Sequence, residues 1–322
     1  MIVRWGLDAL PGALGEVGAA RPYLVASDRW HGLGLGVEHA GAWREVPSDR
    51  IAEAAAAVGD ADAILVVGGG SAIDLAKAVS AETGLPLVSV PTTYAGAEWT
   101  PFFGIRDRER RARGGGAGAR LAGVVYEPEL TLGLPRAATV GTALNALAHC
   151  AEALYARGRN DEADAHALAG ARLIGEWLPR VVDAPRDREA RTRLLEGAAE
   201  AGAALAGAGL ALGHALAQAL GGRTGLPHGA LNALCLAPAL RFNAAAAPDA
   251  VARLGEALGA VDAAARVEEL AGLGGFRRLR DLVVPEAELQ PAAEDAAARP
   301  GARANPRPAS PAELLELLRA IW

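Results

Sequence analysis

Three consecutive glycines, Gly68 to Gly70, separate an apolar run from a helical pattern within VVGGGSAIDLAK, Val66 to Lys77. Glycines at the end of a strand let backbone amides approach a pyrophosphate, and the following helix adds the positive end of its dipole. The spacing is neither the GxGxxG fingerprint nor a P-loop, since no GK[ST] follows. Lys77 is the single lysine among 32 Lys and Arg residues, so this position either requires a primary amine or kept its lysine by chance. The segment predicts a phosphate-binding loop between a buried strand and a helix.

The residues around this loop repeat the rhythm of a parallel α/β sheet. Apolar runs of strand length, Tyr23 to Ala26, Ile64 to Val67 and Leu87 to Val90, alternate with helical patterns. From about Pro135 onward helical patterns take over, although residues 290–310, rich in Pro, Ala and Arg, predict an extended connection. We therefore predict an α/β dinucleotide-binding domain with a parallel sheet over residues 1–135 and an all-helical catalytic domain over residues 136–322.

Composition and charge exclude several function classes. A net charge of -6 without a long basic run gives no electrostatic footprint for nucleic acid. Cys150 and Cys235 lie in apolar stretches, which is typical of free thiols in the cytoplasm rather than of a disulfide framework. The uncharged run from Ala201 to Gly222 contains His214, and we predict a buried helix there and no membrane span. An enzyme for a small molecule fits these limits.

Polar side chains near the predicted strand ends are candidates for binding a nicotinamide cofactor. Thr92 and Thr93 follow the third strand, where hydroxyl groups can bond a nucleotide. Asp28 comes just past the first strand, where a carboxylate can accept hydrogen bonds from the adenosine ribose and repel a 2′-phosphate, favouring NAD(H) over NADP(H). Ser71 and Asp74 either join this site or, by their capping-box spacing, close the start of the helix.

The histidines of the second domain fall into two groups at helical spacing. Residues four apart share one face of a helix, so each group can point into one cleft. Three converging imidazoles suit Zn²⁺ or Fe²⁺, whereas the alternative for any single one is a buried core histidine. The two groups are Asn145, His149 and Glu152, then His214, Gln218 and His228.

Taken in order, these segments resemble the iron-type alcohol dehydrogenase superfamily, which has a dehydroquinate synthase-like architecture. The resemblance is carried by GGGSAIDLAK, PTTYAGAEWT, NALAHCAEALY and HALAQALGGRTGLPHG. Within the superfamily the chain is most similar to the maleylacetate reductases, through PTTYAG, YEPELTLGLP, Asn145 and NPRP. The resemblance implies NADH-dependent reduction of maleylacetate to 3-oxoadipate in aromatic-compound degradation, by a cytoplasmic homodimer.

The resemblance also implies roles for single residues. Metal-dependent members bind their ion through one Asp and three His, and here an amide stands in place of the Asp. Because an amide carries no charge to offset a divalent cation, we predict no bound metal, and we expect the imidazoles to stabilise and protonate an enolate. The residues at the four ligand positions are Asn145, His149, His214 and His228, and those implied at the dinucleotide are Asp28, Gly69, Gly70, Ser71, Thr92 and Thr93.

Substrate binding and the proton donor are less well defined by the resemblance. A dicarboxylate substrate needs cationic partners, for which Arg113 and Arg241 are candidates, with Asn145 as a further substrate-binding residue. Gln218 departs from the family, which usually has His there. Two alternatives stay open: a metal-dependent alcohol or polyol dehydrogenase of the same superfamily, and a non-catalytic or lyase-like relative that binds NAD.

Overall fold

The computed structural model describes residues 1–107 and 112–322, with the backbone alone for residues 105–107 and 112–114. The chain divides into two compact units, Met1–Thr131 and Leu132–Trp322. The division lies just before the predicted boundary at 135, because the short connection ahead of the next helix belongs with the second unit.

The first unit contains a parallel sheet of strands β1, β2, β3, β4, β5 and β8, ordered β1-β8-β5-β4-β2-β3, and an antiparallel pair of β6 and β7. The predicted parallel sheet is confirmed. The helices and strands of the first unit are β1 (Ile2–Trp5), α1 (Leu10–Glu16), β2 (Tyr23–Ala26), β3 (Gly41–Trp43), α2 (Ile51–Ala56), β4 (Ile64–Gly68), α3 (Gly70–Thr83), β5 (Pro86–Pro91), β6 (Phe103–Asp107), β7 (Ala112–Gly116) and β8 (Arg120–Tyr126).

Strand β4 shows why the predicted strands are continuously apolar. Its side chains point alternately to the two faces of the sheet, and both faces are covered. Leu65 and Val67 pack into one core with α1, whereas Ile64 and Val66 pack into the other with α2 and α3. Buried on both faces, the strand places its carboxyl end and the glycines that follow at one edge of the sheet.

The second unit has helices as its regular secondary structure and no strand, as predicted. Its helices are α4 (Arg136–Ala153), α5 (Asp161–Asp183), α6 (Arg188–Ala208), α7 (Leu212–Thr224), α8 (His228–Asn243), α9 (Pro248–Ala257), α10 (Ala263–Leu273), α11 (Leu289–Ala297), α12 (Pro300–Ala304) and α13 (Pro311–Ala320).

Small residues let these helices approach closely. A Cβ atom at Gly170 of α5 would lie 3.0 Å from the carbonyl oxygen of Gly197 in α6, and a Cβ at Gly197 would lie 2.9 Å from Leu173 Cβ. Glycine on both helices therefore removes the side chains that would hold the backbones apart. The high Ala and Gly content of the chain is used in this kind of contact.

The extended connection predicted for residues 290–310 is wrong, because α11 and α12 occupy most of it. The error has a physical reason: proline is tolerated in the first turn of a helix, where its missing N–H has no intrahelical partner, and Pro300 begins α12 in this way. The alanines that follow are good helix formers.

The uncharged run from Ala201 to Gly222 is divided between α6 and α7. Among the described residues no single helix has the length and apolar character needed to cross a membrane, while α6 and α7 taken together do, with a bend of 100° between them. Most of the run is buried, as predicted, but it forms two helices rather than one, and Ala206, Gly207 and Gly209 near the break between them are exposed.

Candidate active site

Helix α4 carries three polar side chains on one buried face. Asn145, His149 and Glu152 lie one turn apart, and each residue is at most 5% exposed. Buried polar groups are nearly always hydrogen-bonded. The neighbouring helices α7 and α8 supply the partners.

Glu152 joins α4 to the start of α7. Its carboxylate accepts hydrogen bonds from the backbone N–H groups of Ala211 (2.6 Å) and His214 (2.9 Å), and from Nδ1 of the His214 ring (2.8 Å). A negative charge at a helix N-terminus is stabilised by the dipole and by the unpaired amides of the first turn. A side chain at Gly213 would place Cβ 3.0 Å from Glu152 Oε1, so glycine keeps this contact open. The carboxylate thereby holds His214 in the tautomer with its proton on Nδ1.

Asn145 is bonded from the opposite side by α8. The Asn232 side-chain amide donates to Asn145 Oδ1 at 2.6 Å, and the same nitrogen lies 2.9 Å from His228 Nε2. The two helices can come this close because glycines face each other at their crossing: a Cβ at Gly229 would lie 2.6 Å from the carbonyl carbon of Gly141. Asn232 is not among the predicted site residues, although its position one turn after His228 in the sequence is a usable signal.

The three predicted histidines lie together in one cluster. His149 and His214 lie with ring centroids 4.8 Å apart and planes at 15°, and His228 lies 5.5 Å from His214 at 51°. Burial lowers the pKa of His149 well below 6.5, with further lowering from the charges of the other two rings. Among the described residues, His149 Nδ1 and His214 Nε2 are buried without a hydrogen-bond partner. Two imidazole nitrogens are therefore left for a ligand.

The donor set does not fit a divalent cation well. Asn145 offers an uncharged amide oxygen, and that oxygen is already bonded to Asn232. The nearest carboxylate, Glu152, is fully committed to His214 and the start of α7. In the part of the chain that the structure describes, no group of three or more His, Cys, Asp or Glu side chains is arranged to hold a metal ion.

Of the two predicted substrate-binding arginines, Arg241 lies away from this cluster. Arg241 lies in the last turn of α8, about 20 Å along the helix axis from His228, and it forms a two-point ion pair with Glu268. The structure therefore gives no support to the predicted role of Arg241 at the substrate. Arg113 falls in β7, and its side chain lies outside the described residues. Gln218 lies one turn after His214 in α7 and is partly exposed.

In the first unit, the glycine loop lies between β4 and α3 as predicted. Two of its glycines are needed for packing: a Cβ at Gly68 would lie 2.6 Å from Ala72 Cβ, and one at Gly69 would lie 2.8 Å from Thr93 Cγ2. At Gly70 the nearest atom would be 3.8 Å away. Protein packing therefore does not require glycine at position 70, because an added Cβ would make only ordinary van der Waals contacts with Ala95 and Ala97.

The other predicted cofactor residues lie at the same edge of the sheet. Thr92 and Thr93 follow β5, and the Thr92 amide donates to the Gly68 carbonyl at 3.0 Å. Thr93 Oγ1 is a buried atom without a partner among the described residues. Asp28 follows β2, which pairs with β4 on the side away from β5. Its side chain is 80% exposed, and Arg44 approaches it at 3.4 Å.

Ser71 and Asp74 do not form a capping box. The N-cap of α3 is Gly69, without a side-chain hydrogen bond, and Ser71 is exposed within the first turn. Asp74 pairs instead with Lys77 at 3.0 Å and accepts from the Gly104 amide. Lys77 also donates to the carbonyls of Ala97 and Phe102. The single lysine thus ties the loop after Thr93 to α3, which is a structural use of its primary amine.

A second buried group in this loop is Glu98, which the sequence analysis does not single out. The Tyr126 hydroxyl donates to Glu98 Oε1 at 2.8 Å and accepts from the Trp99 ring N–H at 2.7 Å. Burial raises the pKa of the Glu98 carboxyl above 4.5, against the opposing effects of its hydrogen bonds and of Lys77. Glu98 is 2% exposed, and its carboxyl oxygen Oε2 has no hydrogen-bond partner among the described residues.

This raised pKa predicts a stability loss with rising pH. Above pH 4.5 the unfolded state releases the Glu98 proton while the folded state keeps it, so the free energy of unfolding falls by up to about 1.4 kcal/mol per pH unit until pH passes the folded pKa. We expect Glu98→Gln to remove this component. Urea denaturation of both proteins between about pH 5 and pH 8 measures it, and equal pH slopes would contradict the prediction.

Comparisons with known proteins agree over both units. Residues 24–121 match the family model described as iron-containing alcohol dehydrogenase, and residues 139–322 match that of the Fe-containing alcohol dehydrogenase family, C-terminal. The chain is 41% identical to a maleylacetate reductase from Burkholderia cepacia over 249 residues, covering 77% of this chain and 70% of the relative.

Two further relatives carry the same name. A maleylacetate reductase from Sphingobium indicum is 39% identical over 274 residues, covering 84% of this chain and 77% of the relative. The crystal structure of maleylacetate reductase from Agrobacterium tumefaciens superposes with a TM-score of 0.89 at 33% identity, covering 100% of this chain and 95% of that one.

Proposed function

This chain belongs to the iron-containing alcohol dehydrogenase family, and we propose that it is an oxidoreductase that reduces maleylacetate to 3-oxoadipate with NADH. The choice of substrate is supported by the names of relatives that are 36–41% identical to this chain. The observation that carries the chemistry is His214, a buried imidazole whose Nδ1 is bonded to Glu152 and whose Nε2 has no protein partner in the described residues.

The glycine loop and the residues beside it fit a dinucleotide. Three features lie at the carboxyl ends of β4, β5 and β2, the edge where open α/β sheets bind nucleotides. They are the backbone of Gly70, where packing does not require a glycine, the Thr93 hydroxyl, which has no partner among the described residues, and the Asp28 carboxylate. When bound, the nicotinamide supplies a hydride to the carbon β to the substrate ketone, and the electrons of the C=C bond leave an enolate. Asp28 is proposed at the adenosine ribose, which favours NADH over NADPH.

The histidine cluster would stabilise and protonate that enolate. His214 can hold a proton on Nε2 while its Nδ1–H stays bonded to Glu152, deliver the Nε2 proton to the α carbon, and end as a neutral ring. His149, which burial keeps neutral, can donate a hydrogen bond to the enolate oxygen. Solvent then restores the proton on His214, so the balance is one hydride and one proton per substrate.

We propose that this step needs no bound metal. An enolate carries its charge over several atoms and needs less stabilisation than an alkoxide. The family is named for iron, which does not support a metal-free step. The support for it is that Asn145 is uncharged and that its side-chain oxygen is bonded to Asn232. The homodimer and the cytoplasmic location stay predictions from the resemblance.

The test of the proposed function is NADH oxidation, followed by absorbance, with freshly generated maleylacetate and with simple aldehydes. We expect reduction of maleylacetate at a rate that a chelator leaves unchanged, with metal analysis finding no stoichiometric iron or zinc. Activity confined to aldehydes would overturn the substrate assignment. Stoichiometric metal together with chelator-sensitive activity would overturn the metal-free chemistry and favour a metal-dependent alcohol dehydrogenase.

Gly70→Ala tests the cofactor loop separately from folding. Because a Cβ at this position meets no protein atom closer than 3.8 Å, we expect the free energy of unfolding to change by less than about 1 kcal/mol. The same methyl group occupies the space proposed for the pyrophosphate, so the Kd for NADH should rise by about tenfold or more. Fluorescence titration measures it. Gly12→Ala, in α1 with no atom within 4 Å, is the matched control; equal NADH affinities in the two variants would refute the assignment.

A further inference from the structure

Arg299 is a partly buried arginine that lacks an ion-pair partner. It lies at the N-cap of α12, and its guanidinium Nη1 donates a long hydrogen bond of 3.4 Å to Gln218 Oε1. Its Nε is a buried atom without a partner among the described residues. No carboxylate of the described part of the chain lies within 4.0 Å of it, in contrast to the two-point pair of Arg241 with Glu268.

Asp295 is the acidic residue whose charge acts on Arg299, but it does not form an ion pair with it. Asp295 acts on the guanidinium electrostatically, but its carboxylate is bonded to Arg223 at 3.3 Å. Burial lowers the pKa of Arg299, with Asp295 opposing the shift, and an arginine stays protonated under all ordinary conditions. A half-buried positive charge with open donors is costly unless an anion completes it.

Gln218 connects this charge to the histidine cluster. Every residue of α7 from Leu212 to Gly222 is buried except Gln218, which is partly exposed. Gln218 lies one turn, or about 6 Å along the axis, beyond His214 on the same face. The Gln218 amide oxygen orients Arg299, and a ligand that reaches His214 can extend along this face to the guanidinium.

We propose that Arg299, oriented by Gln218, binds a terminal carboxylate of the substrate. The inference rests on the proposed function, since it identifies the cationic partner that a dicarboxylate keto acid requires. A carboxylate accepts two parallel hydrogen bonds from a guanidinium, which fixes both the position and the direction of the substrate. Arg299 therefore selects substrates with an acid group at a set distance from the carbon that is protonated, and it takes the role that Arg241 is too distant to fill.

The test compares Arg299→Gln with Arg299→Lys and with wild-type enzyme. We expect Arg299→Gln to raise KM for maleylacetate by roughly 10- to 100-fold, the loss of a charge-assisted hydrogen-bond pair, while kcat changes by less than about threefold because the proton donor is untouched. Arg299→Lys should recover part of the loss, since lysine restores the charge without the two-point geometry. The matched control is Arg303→Gln in the same helix, whose guanidinium bonds the Ala298 carbonyl, and it should keep the wild-type KM.

A redox-inert ligand separates this inference from the proposed function. Calorimetric titration of wild-type protein with adipate and with hexanoate should show tighter binding of the dicarboxylate, and Arg299→Gln should abolish that preference. An unchanged KM and an unchanged adipate affinity in Arg299→Gln would overturn the inference and leave the proposed function standing. Failure of wild-type protein to reduce maleylacetate would overturn the proposed function, and adipate binding would still decide whether Arg299 recognises a carboxylate.

Discussion

Replacing Glu152 by Gln is expected to lower kcat for maleylacetate reduction by about 10²- to 10⁴-fold, the usual contribution of a positioned acid–base group. In the wild type the carboxylate accepts the Nδ1 proton of His214, so the ring can give up a second proton from Nε2 and end neutral. A glutamine side chain is uncharged and has one acceptor oxygen, so it cannot offset the positive charge of a doubly protonated ring, and its NH₂ group must face one of the donors that Glu152 accepts from. The doubly protonated ring that delivers the Nε2 proton is then less stable, and protonation of the enolate slows.

The control for this variant is a second histidine–glutamate pair, which lies outside the cluster. His166 Nδ1 lies 2.6 Å from Glu200 Oε2, both side chains are 38% exposed, and neither belongs to the cluster. We expect Glu200→Gln to change kcat by less than about twofold. His214→Gln, which retains the Glu152 bonds to the backbone of α7, separates loss of the acid from weakening of the helix start. A kcat within about threefold of wild type in both Glu152→Gln and His214→Gln would refute the assigned role.

Gly229→Ala is expected to lower the free energy of unfolding by about 2–4 kcal/mol. The added Cβ would lie 2.6 Å from the carbonyl carbon and oxygen of Gly141 and 3.0 Å from the Thr142 amide. These are backbone atoms, so relief requires α4 and α8 to move apart rather than a side chain to rotate. That movement would lengthen the 2.6 Å bond between Asn232 and Asn145, so activity should fall together with stability.

Gly272→Ala is the matched control for this substitution. It also lies in a helix, α10, and a Cβ there meets no atom within 4 Å, so its stability should change by less than about 1 kcal/mol. Urea denaturation followed by circular dichroism measures both variants. Equal stability of Gly229→Ala and Gly272→Ala would show that the close approach of the two helices is not needed.

Much of the site could be predicted because several of its residues are close together in the sequence. Residues one turn apart share a helix face whatever surrounds them, which is why Asn145 with His149, and His214 with Gln218, are recognisable as pairs in the sequence. The glycine loop after β4 is recognisable for the same reason, since strand, loop and helix are contiguous. The extended chain predicted for residues 290–310 is wrong because it is inferred from their prolines, and Pro is also typical of the first turn of a helix.

Partners contributed by distant segments could not be predicted from local pattern. Arg241 and Arg299 both lie near helix ends, and nothing local in the sequence distinguishes them. In the folded chain Arg241 pairs with Glu268, whereas Arg299 lies beside Gln218. Lys77 likewise has no distinguishing neighbour in sequence, and its role follows from carbonyl groups some twenty residues further along.

By itself, then, the sequence determined the class of each unit, the cofactor loop and the helices that carry the histidines, because these depend on periodicity within a dozen residues. The tertiary structure decided that Glu152 closes the start of α7, that Asn232 occupies the Asn145 oxygen and that Arg299 rather than Arg241 lies beside the α7 face. These contacts depend on how closely helices cross, and that distance is set by glycines such as Gly141 and Gly229, which are far apart in the chain and carry no chemical group of their own.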